Sequence, residues 1–540
     1  MAYHTLARAD RKARHLAAAR YYESLGSDEL AGAVASHYLA ARRDAAKESE
    51  ASDLVAHARV ALGSAAARAT ALGSHEQAAG FFEQALEITE EPSERALQLE
   101  RAGEAWRRVG RWDRAIARLR EAAEVRRSLG IRRDVAGAVE KLGEALSAAL
   151  RHDDAAAVLG PAVEEFADLT DEPEGVALFT TAARAASNAE DYARGLALVE
   201  TALPAAERLD LPELVATALA AKGGALRALG RGYEGLADAR AAVELADVHA
   251  SGEEALRLRG NLLLALYDVD VAAAVRDGRA ALQEARRLGL RGQAITLAGN
   301  ASEAARWTGE WDWALSELDA LLDGDLDPVD RAWLQVNAAV LRAWRGEDVG
   351  DRVAILDAAE RGSQEGTWYE SLGRDLDSCL GLAHGGRLLE ARARAREYAG
   401  LSSLNAPPAF ALAARAALWG GDHVAAVEDL RALEQTGVHG LLVSLRRTTI
   451  RAGIAALEGR APEARALYLE AQRGLFDHGV AFEAALVGID MAKLLGPDDP
   501  EASGATAEAR PILERLGARP FIALLDAALD TSGRTGLPLA

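Results

Sequence analysis

Small and apolar residues recur along the chain in paired short runs separated by a polar turn, and the clearest copy is LERAGEAWRRVGRWDRAIARLREA at 99–122. The first run contains Leu99, Ala102, Gly103 and Trp106, and the second contains Ala115, Leu119 and Ala122. Apolar positions three or four residues apart mark one face of an α-helix. The pattern therefore predicts two short amphipathic helices joined at the turn GRWD.

The turn recurs at steps of 35 to 40 residues from residue 73 to residue 459, with one double step of 79 that contains a degenerate copy near Tyr267 to Asp270. Glycine suits the end of a helix because it adopts the left-handed backbone at little cost. The acidic residue that often follows favours the positive start of the next helix. We expect eleven helical pairs and an all-α fold.

The 99–122 copy resembles the tetratricopeptide repeat, in which small residues and large apolar residues alternate at fixed offsets. Gly103 and Ala115 take the small positions, Trp106 the aromatic one and Leu119 the last apolar one. The resemblance implies a right-handed superhelical solenoid of about eleven helix-turn-helix pairs over residues 51–495. Residues 1–50 are expected to form a helical lead-in or cap, and residues 496–540 a linker, capping helices and a short disordered tail.

The flanks of the repeats carry a second resemblance. The lead-in ARHLAAARYYESLGSDELAGAVASHYLAA and the late segment ARPILERLGARPFIALLDAAL are similar to the flanks of the repeat tail in large bacterial ATPase regulators of the LuxR type and in class III nucleotide cyclases. That resemblance implies a sensor or docking role. The sequence departs from the full plan of these proteins, because it shows no ATPase, cyclase or helix-turn-helix motif.

Composition and charge narrow the class of protein. Aromatic residues make up only 5% of the chain, a composition that suits helices. Cys379 is the single cysteine, which excludes a disulfide framework. The sequence shows no signal peptide and no apolar run long enough to span a bilayer, so we expect a cytoplasmic protein. A net charge of −21 argues against broad nucleic-acid binding.

The sequence contains no pattern that predicts catalysis. A phosphate-binding loop of the G-x-x-x-x-G-K-[ST] type and an H-E-x-x-H zinc motif are both missing from it. His75, His152 and His423 occupy equivalent turn positions, which favours a structural role for all three. We therefore expect a protein that is not an enzyme and needs no cofactor or metal.

Six of the nine tryptophans fall within 62 residues, and two interpretations of them stay open. They are Trp307, Trp311, Trp313, Trp333, Trp344 and Trp368. Tryptophan fills the cores of repeats, and it also anchors partners at binding surfaces. The second interpretation includes a small-molecule sensor.

Asparagines recur at one helical position of successive repeats, at Asn261, Asn300 and Asn337. In tetratricopeptide proteins this position faces the concave groove, and an amide there resembles the residue that holds the backbone of an extended peptide, since it donates and accepts hydrogen bonds. The predicted partner-binding residues are these three asparagines with Glu303, Arg306, Trp307, Trp333 and Arg342. The alternative is that the asparagines are solvated or form hydrogen bonds between repeats.

The sequence thus predicts a non-catalytic scaffold or sensor that binds a protein or peptide segment on its concave surface, in bacterial signalling or transcriptional regulation. Two alternatives remain. The chain is either the regulatory tail of an ATPase or nucleotide cyclase whose catalytic part is absent from this sequence, or a sensor of a small molecule.

Overall fold

A computed structural model of the chain describes residues 7–45, 48–149, 151–326, 328–349 and 366–530, apart from the side chains of Asp28, Glu48 and residues 366–369. Within these ranges it contains 26 α-helices, two short 3-10 turns and no strand. The all-α prediction is confirmed. The chain divides into two compact units, Met1–Ala189 and Glu190–Ala540.

Unit 1 contains nine helices, which are α1 (Arg8–Ser24), α2 (Ala31–Arg43), α3 (Glu48–Ala71), α4 (His75–Leu86), α5 (Pro92–Arg108), α6 (Trp112–Leu129), α7 (Arg132–Ala148), α8 (His152–Glu165) and α9 (Pro173–Asn188). Helices α1 and α2 precede the repeats and pack on each other. The first helices of the repeats are α3, α5, α7 and α9.

Unit 2 contains the described helices α10 (Tyr192–Arg208), α11 (Pro212–Ala228), α12 (Gly232–His249), α13 (Gly252–Val269), α14 (Val271–Arg287), α15 (Arg291–Thr308), α16 (Trp311–Leu322), α17 (Pro328–Trp344), α18 (Gly366–His384), α19 (Leu388–Leu401), α20 (Ala406–Trp419), α21 (His423–Gln435), α22 (Leu441–Leu457), α23 (Ala461–Asp477), α24 (Ala481–Leu494), α25 (Pro500–Leu516) and α26 (Arg519–Leu529). Its first helices are α11, α13, α15, α17, α18, α20, α22 and α24.

The predicted turns are found where the sequence places them. Ten of the eleven follow the end of a helix, and the degenerate copy at Tyr267 to Asp270 begins within α13, which ends at Val269. Another described helix follows every turn except the one at Gly346, after which the chain includes residues outside the described ranges. Eight turn glycines have left-handed φ angles between 62° and 84°: Gly73, Gly110, Gly230, Gly309, Gly346, Gly385, Gly421 and Gly459. Glu190 occupies the same position with φ 62°.

Close packing within a pair depends on the small residues that the repeat pattern predicts. A Cβ atom at Gly103 would lie 2.6 Å from Cγ of Leu119, and one at Gly143 would lie 2.5 Å from the methyl groups of Leu159. Leu99, Leu119 and Ala115 are fully buried. Each pair therefore forms one tight hairpin whose remaining apolar face is covered by the next pair.

The first helices line one side of the stack in unit 2. Neighbouring first helices pack on each other, as α11 does on α13, α13 on α15 and α15 on α17, whereas no two neighbouring second helices of the described part share an extended contact. First helices are therefore closer together than second helices. This places them on the inner side of the curve, as expected for a solenoid.

Helices α24 and α25 form a further pair, beyond the eleven that the sequence predicts. A Cβ atom at Gly488 of α24 would lie 2.7 Å from Cβ of Ala509 in α25, which is the same close approach as in the earlier pairs. The predicted domain boundaries at residues 50 and 495 stay predictions. Residues 531–540, the end of the segment 496–540 in which a short disordered tail is expected, lie outside the described residues.

Glycine has two roles in this fold, close packing of helices and a left-handed backbone in turns, and substitutions at three glycines distinguish them. We expect Gly103→Ala to lower the free energy of unfolding by about 1 to 3 kcal/mol through overpacking against Leu119. Gly63→Ala, inside α3 with open space around it, should raise it by about 0.5 to 1 kcal/mol. Gly110→Ala, at φ 76°, should lower it by about 1 kcal/mol through backbone strain. Urea unfolding monitored by circular dichroism measures the free energy of unfolding of all three variants. An unchanged value for Gly103→Ala would contradict the close packing of Gly103 against Leu119.

Candidate functional site

All eight predicted partner-binding residues lie on three neighbouring first helices of unit 2. Helix α13 carries Asn261, helix α15 carries Asn300, Glu303, Arg306 and Trp307, and helix α17 carries Trp333, Asn337 and Arg342. Four of them, Glu303, Arg306, Trp333 and Asn337, are linked by hydrogen bonds. Their role in binding a partner stays a prediction.

Arg306 is the centre of a buried polar network and is only 7% exposed. Its Nη1 donates to Asp375 Oδ2 at 3.1 Å, and its Nη2 donates to Asn337 Oδ1 at 3.4 Å. The Nδ2 of Asn337 in turn donates to the carbonyl oxygen of Trp333 at 3.2 Å. Both ends of the Asn337 amide are therefore used inside the protein.

Glu303 and Trp333 form the half-buried border of this network. The indole Nε1 of Trp333 donates to Glu303 Oε1 at 3.3 Å. Burial raises the pKa of the Glu303 carboxyl, and the nearby Arg306 guanidinium opposes part of that shift. Toward the preceding first helix, α13, the Nε1 of Trp307 donates to the hydroxyl of Tyr267 at 2.8 Å.

Cys379 lies in the same network but is not prepared for nucleophilic chemistry. Its thiol is buried and contacts Asp375 Oδ1, with 3.6 Å between sulfur and oxygen. Burial and the Asp375 carboxylate raise the pKa of the thiol, so it stays protonated near neutral pH. The reactive form of cysteine is the thiolate, which this environment disfavours.

A second buried network joins helices α20, α22 and α24. Arg415 Nη1 donates to Glu483 Oε1 at 2.6 Å, Arg446 Nη2 donates to Glu483 Oε2 at 3.1 Å, and Arg415 Nε donates to Asp490 Oδ2 at 3.3 Å. The guanidinium of Arg446 also lies 4.3 Å from the ring centre of Trp307. The two arginines, Glu483 and Asp490 line a cavity of about 10 Å³, room for about one water molecule.

Three of the six clustered tryptophans are core residues. Trp311 and Trp344 are fully buried and pack against Phe482, with ring centres 4.8 Å apart in both contacts. Trp344 also packs against Phe521 at 5.7 Å. The core interpretation therefore holds for Trp307, Trp311 and Trp344, while the side chain of Trp368 lies outside the described part.

The inner side of unit 2 is filled by its own side chains. Arg306 on α15 reaches Asp375 on α18, and Arg415 on α20 reaches Asp490 on α24, so first helices two pairs apart meet. Later first helices also pack over earlier ones, as α22 does on α13 and α24 on α15. Arg306, Trp307 and Asn337 are buried in this arrangement, contrary to the expected groove-facing position.

The three remaining predicted residues lie apart from the network. Asn300 is half-buried and its Nδ2 donates to the carbonyl oxygen of Gly260 at 3.3 Å. Asn261 is half-buried on the preceding first helix. Arg342 points away from the network and pairs with Asp319 at 2.6 Å.

Unit 1 presents a different inner side, lined by three glutamates that we call the carboxylate row: Glu104 on α5, and Glu140 and Glu144 on α7. The side chains of Glu104 and Glu144 are 30% and 31% exposed, and Glu140 is half-buried. Glu140 Oε1 accepts from the Thr181 hydroxyl on α9 at 2.7 Å. The polar contacts between first helices that the structure describes here join neighbouring pairs only.

Glu140 is the most perturbed member of the row. Burial, with Glu144 and Glu104 adding to it, raises the pKa of its carboxyl from 4.5 to about 7, while Thr181 and Arg184 oppose the shift. Glu144 pairs with Arg184 at the longer distance of 3.8 Å, and Glu104 pairs with Arg107 at 3.1 Å.

The sequence contains a signal for this row, which the asparagine pattern does not include. Glu104 and Glu144 lie 40 residues apart, at the same position relative to Gly103 and Gly143. The signal is therefore glutamate, rather than asparagine, at equivalent repeat positions. Its exposure depends on the curvature of the stack, which the repeat pattern does not specify.

No protein-family model matches the sequence, and the curated proteins searched gave no match either. Among solved structures, the chain is similar to a Rap protein complexed with competence and sporulation factor, with 11% identity over 73% of this chain and 99% of that chain and a TM-score of 0.39. It is also similar to the APC/C hetero-tetramer Cut9–Hcn1, with 12% identity over 86% and 95% and a TM-score of 0.36. Likenesses of this degree do not bear on function, and the fold assignment rests on the helices themselves.

None of the helices in the described ranges is both long and apolar enough to cross a membrane. No set of three or more histidine, cysteine, aspartate or glutamate side chains in the same ranges is placed to hold a metal ion.

Two of the predicted arginines should differ sharply in their effect on stability. Arg306→Leu leaves the Asp375 carboxylate without its buried partner, and we expect a loss of about 3 kcal/mol in the free energy of unfolding. Arg342→Leu removes a half-exposed pair with Asp319 and should cost less than about 1 kcal/mol. Equal losses in urea unfolding would contradict the placement of Arg306 in a closed network.

The raised pKa of Glu140 predicts a pH dependence of stability. Between about pH 4.5 and about pH 7 the folded protein keeps a proton that the unfolded chain has lost, so this contribution to stability falls as pH rises. We expect the thermal unfolding midpoint of Glu140→Gln to fall less between about pH 5 and about pH 8 than that of the parent protein. Glu124→Gln, an exposed control on α6, should keep the parent slope. A Glu140→Gln slope equal to the parent's would contradict the assigned pKa.

Proposed function

We propose that this chain is a non-catalytic helical repeat scaffold that binds a segment of another protein along the first helices of unit 1. The observation that carries the proposal is the contrast between two inner sides. In unit 2 the inner side is occupied by buried networks such as that of Arg306, whereas in unit 1 the carboxylate row keeps accessible side chains.

The spacing of the row suits an extended segment. Lys141 on α7 pairs with Glu100 on α5 at 2.8 Å, so these two first helices are neighbours. An extended chain advances about 3.3 Å per residue, so a short segment crosses from one first helix to the next. Half-buried carboxylates at equivalent positions of α5 and α7 offer it repeated acceptor sites.

The residues predicted in unit 2 define a second candidate binding site. We limit this proposal to the half-buried positions Asn261, Asn300 and Glu303. Arg306, Trp307 and Asn337 would act there only by holding their neighbours in place, because their polar atoms already have partners.

The cellular setting that we propose is cytoplasmic, in bacterial signalling or transcriptional regulation. A second candidate is the regulatory tail of an ATPase or nucleotide cyclase, and the observation that favours it is the resemblance of the segments on both sides of the repeats. The coding sequence immediately upstream tests that candidate: an in-frame ATPase or cyclase supports it, and an unrelated gene contradicts it.

Site-specific photocrosslinking in the native cell tests where a partner binds. A photoreactive benzoyl-phenylalanine in place of Glu104 should give a discrete protein adduct, because this position faces the proposed partner. The same residue at Glu124, on the exposed side of α6, is the matched control. Benzoyl-phenylalanine in place of Asn261 tests the second candidate binding site.

We expect the adduct to be strong at Glu104 and weak at the other two positions. A partner found only at Asn261 would move the binding site to unit 2. The same adduct yield at Glu104 and at Glu124, or no adduct anywhere, would contradict the proposed function.

A further inference from the structure

When Glu140 is ionised, the carboxylate row contains more negative charge than its own cations neutralise. Glu104 pairs with Arg107 and Glu144 with Arg184, but Glu140 has only the Thr181 hydroxyl as a described bonding partner. Three carboxylates therefore face two guanidinium groups. An accessible carboxylate excess of this kind favours a cationic ligand.

Two serine hydroxyls next to the row give an independent observation. Ser147 lies one helical turn beyond Glu144 on the same face of α7, and Ser187 lies one turn beyond Arg184 on α9, so the two are 40 residues apart. Ser147 is 8% exposed, and neither hydroxyl has a hydrogen-bond partner in the described part of the chain. Unpaired buried hydroxyls are uncommon, and a ligand that supplies the missing acceptors would satisfy them.

The surroundings restrict the kind of cation. Within the described residues, the row does not bring three ligating side chains close enough to hold a metal ion. A lysine or arginine side chain has the reach to pair with carboxylates on two helices, and the backbone that carries it has carbonyl oxygens for hydroxyl donors.

This inference rests on the proposed function. We propose that the bound partner is a basic protein segment whose lysine or arginine side chain lies among Glu104, Glu140 and Glu144. Peptide carbonyl groups of the same segment accept hydrogen bonds from Ser147 and Ser187. The segment lies across α5, α7 and α9 within unit 1. Its cation supplies the charge that Glu140 lacks.

Binding of this segment is coupled to loss of a proton from Glu140. The groups that face Glu140 are Glu144 on its own helix, Glu104 on α5, and Thr181 and Arg184 on α9. Burial and the two glutamates keep its pKa near 7, and a bound cation lowers that pKa because it favours the ionised carboxyl. Affinity therefore rises as the pH increases through about 7.

The test uses the full chain and two blocked peptides of about eight residues, which alternate alanine with lysine in one and with glutamate in the other. Calorimetric titration at about pH 6 and about pH 8 gives the affinities, and buffers of different ionisation enthalpy give the number of protons released. The variants are Glu140→Gln, Glu104→Gln with Glu144→Gln, and the control Glu124→Gln. Circular dichroism checks that each variant is folded.

We expect the lysine peptide to bind and the glutamate peptide not to bind. The affinity for the lysine peptide should increase at least about threefold from about pH 6 to about pH 8. Glu140→Gln should abolish both that increase and the proton release. Glu104→Gln with Glu144→Gln should weaken binding about tenfold. Glu124→Gln should change nothing.

The results separate this inference from the proposed function. A photocrosslinked partner at Glu104 together with no selective binding of the lysine peptide, or with equal binding by Glu140→Gln and the parent protein at both pH values, would overturn the basic-segment inference alone. No crosslink at Glu104 or at Asn261 would overturn the scaffold proposal itself.

Discussion

The close approach of two helices at small residues is the interaction on which this structure depends. Gly103 against Leu119 and Gly143 against Leu159 leave no room for a further side-chain carbon. A hairpin packed in this way still exposes one apolar face, so it needs a neighbour on each side. The same requirement repeats within each unit, and in unit 2 it produces a stack in which first helices line the inner side.

Curvature then decides what the inner side can do. In unit 2, first helices two pairs apart touch, and polar side chains caught between them must pair because a buried charge without a partner is costly. Arg306 with Asp375 and Arg415 with Glu483 meet that requirement. In unit 1, the contacts described between first helices join only neighbouring pairs, and the inner carboxylates keep access to solvent.

Local features of this fold could be predicted from the sequence, whereas contacts between distant repeats could not. The turn at Gly110 and the small residue at Gly103 follow from backbone conformation and packing within one hairpin. The pairing of Arg306 with Asp375 joins residues 69 positions apart and depends on how tightly the stack curves. Nothing in a single repeat specifies that curvature, so Asn337 was expected in a groove and is found buried.

The central claim is that the inner side of unit 2 is closed by its own later repeats. Leu516 lies against Gly309, and the Nε of Arg345 donates to the carbonyl oxygen of Leu516 at 3.1 Å. Spin labels on cysteines at the exposed positions Glu310 and Arg515 measure this closure directly by electron paramagnetic resonance. The account predicts a short distance with a narrow distribution; a long or broad distribution, as in an open spiral, would contradict it.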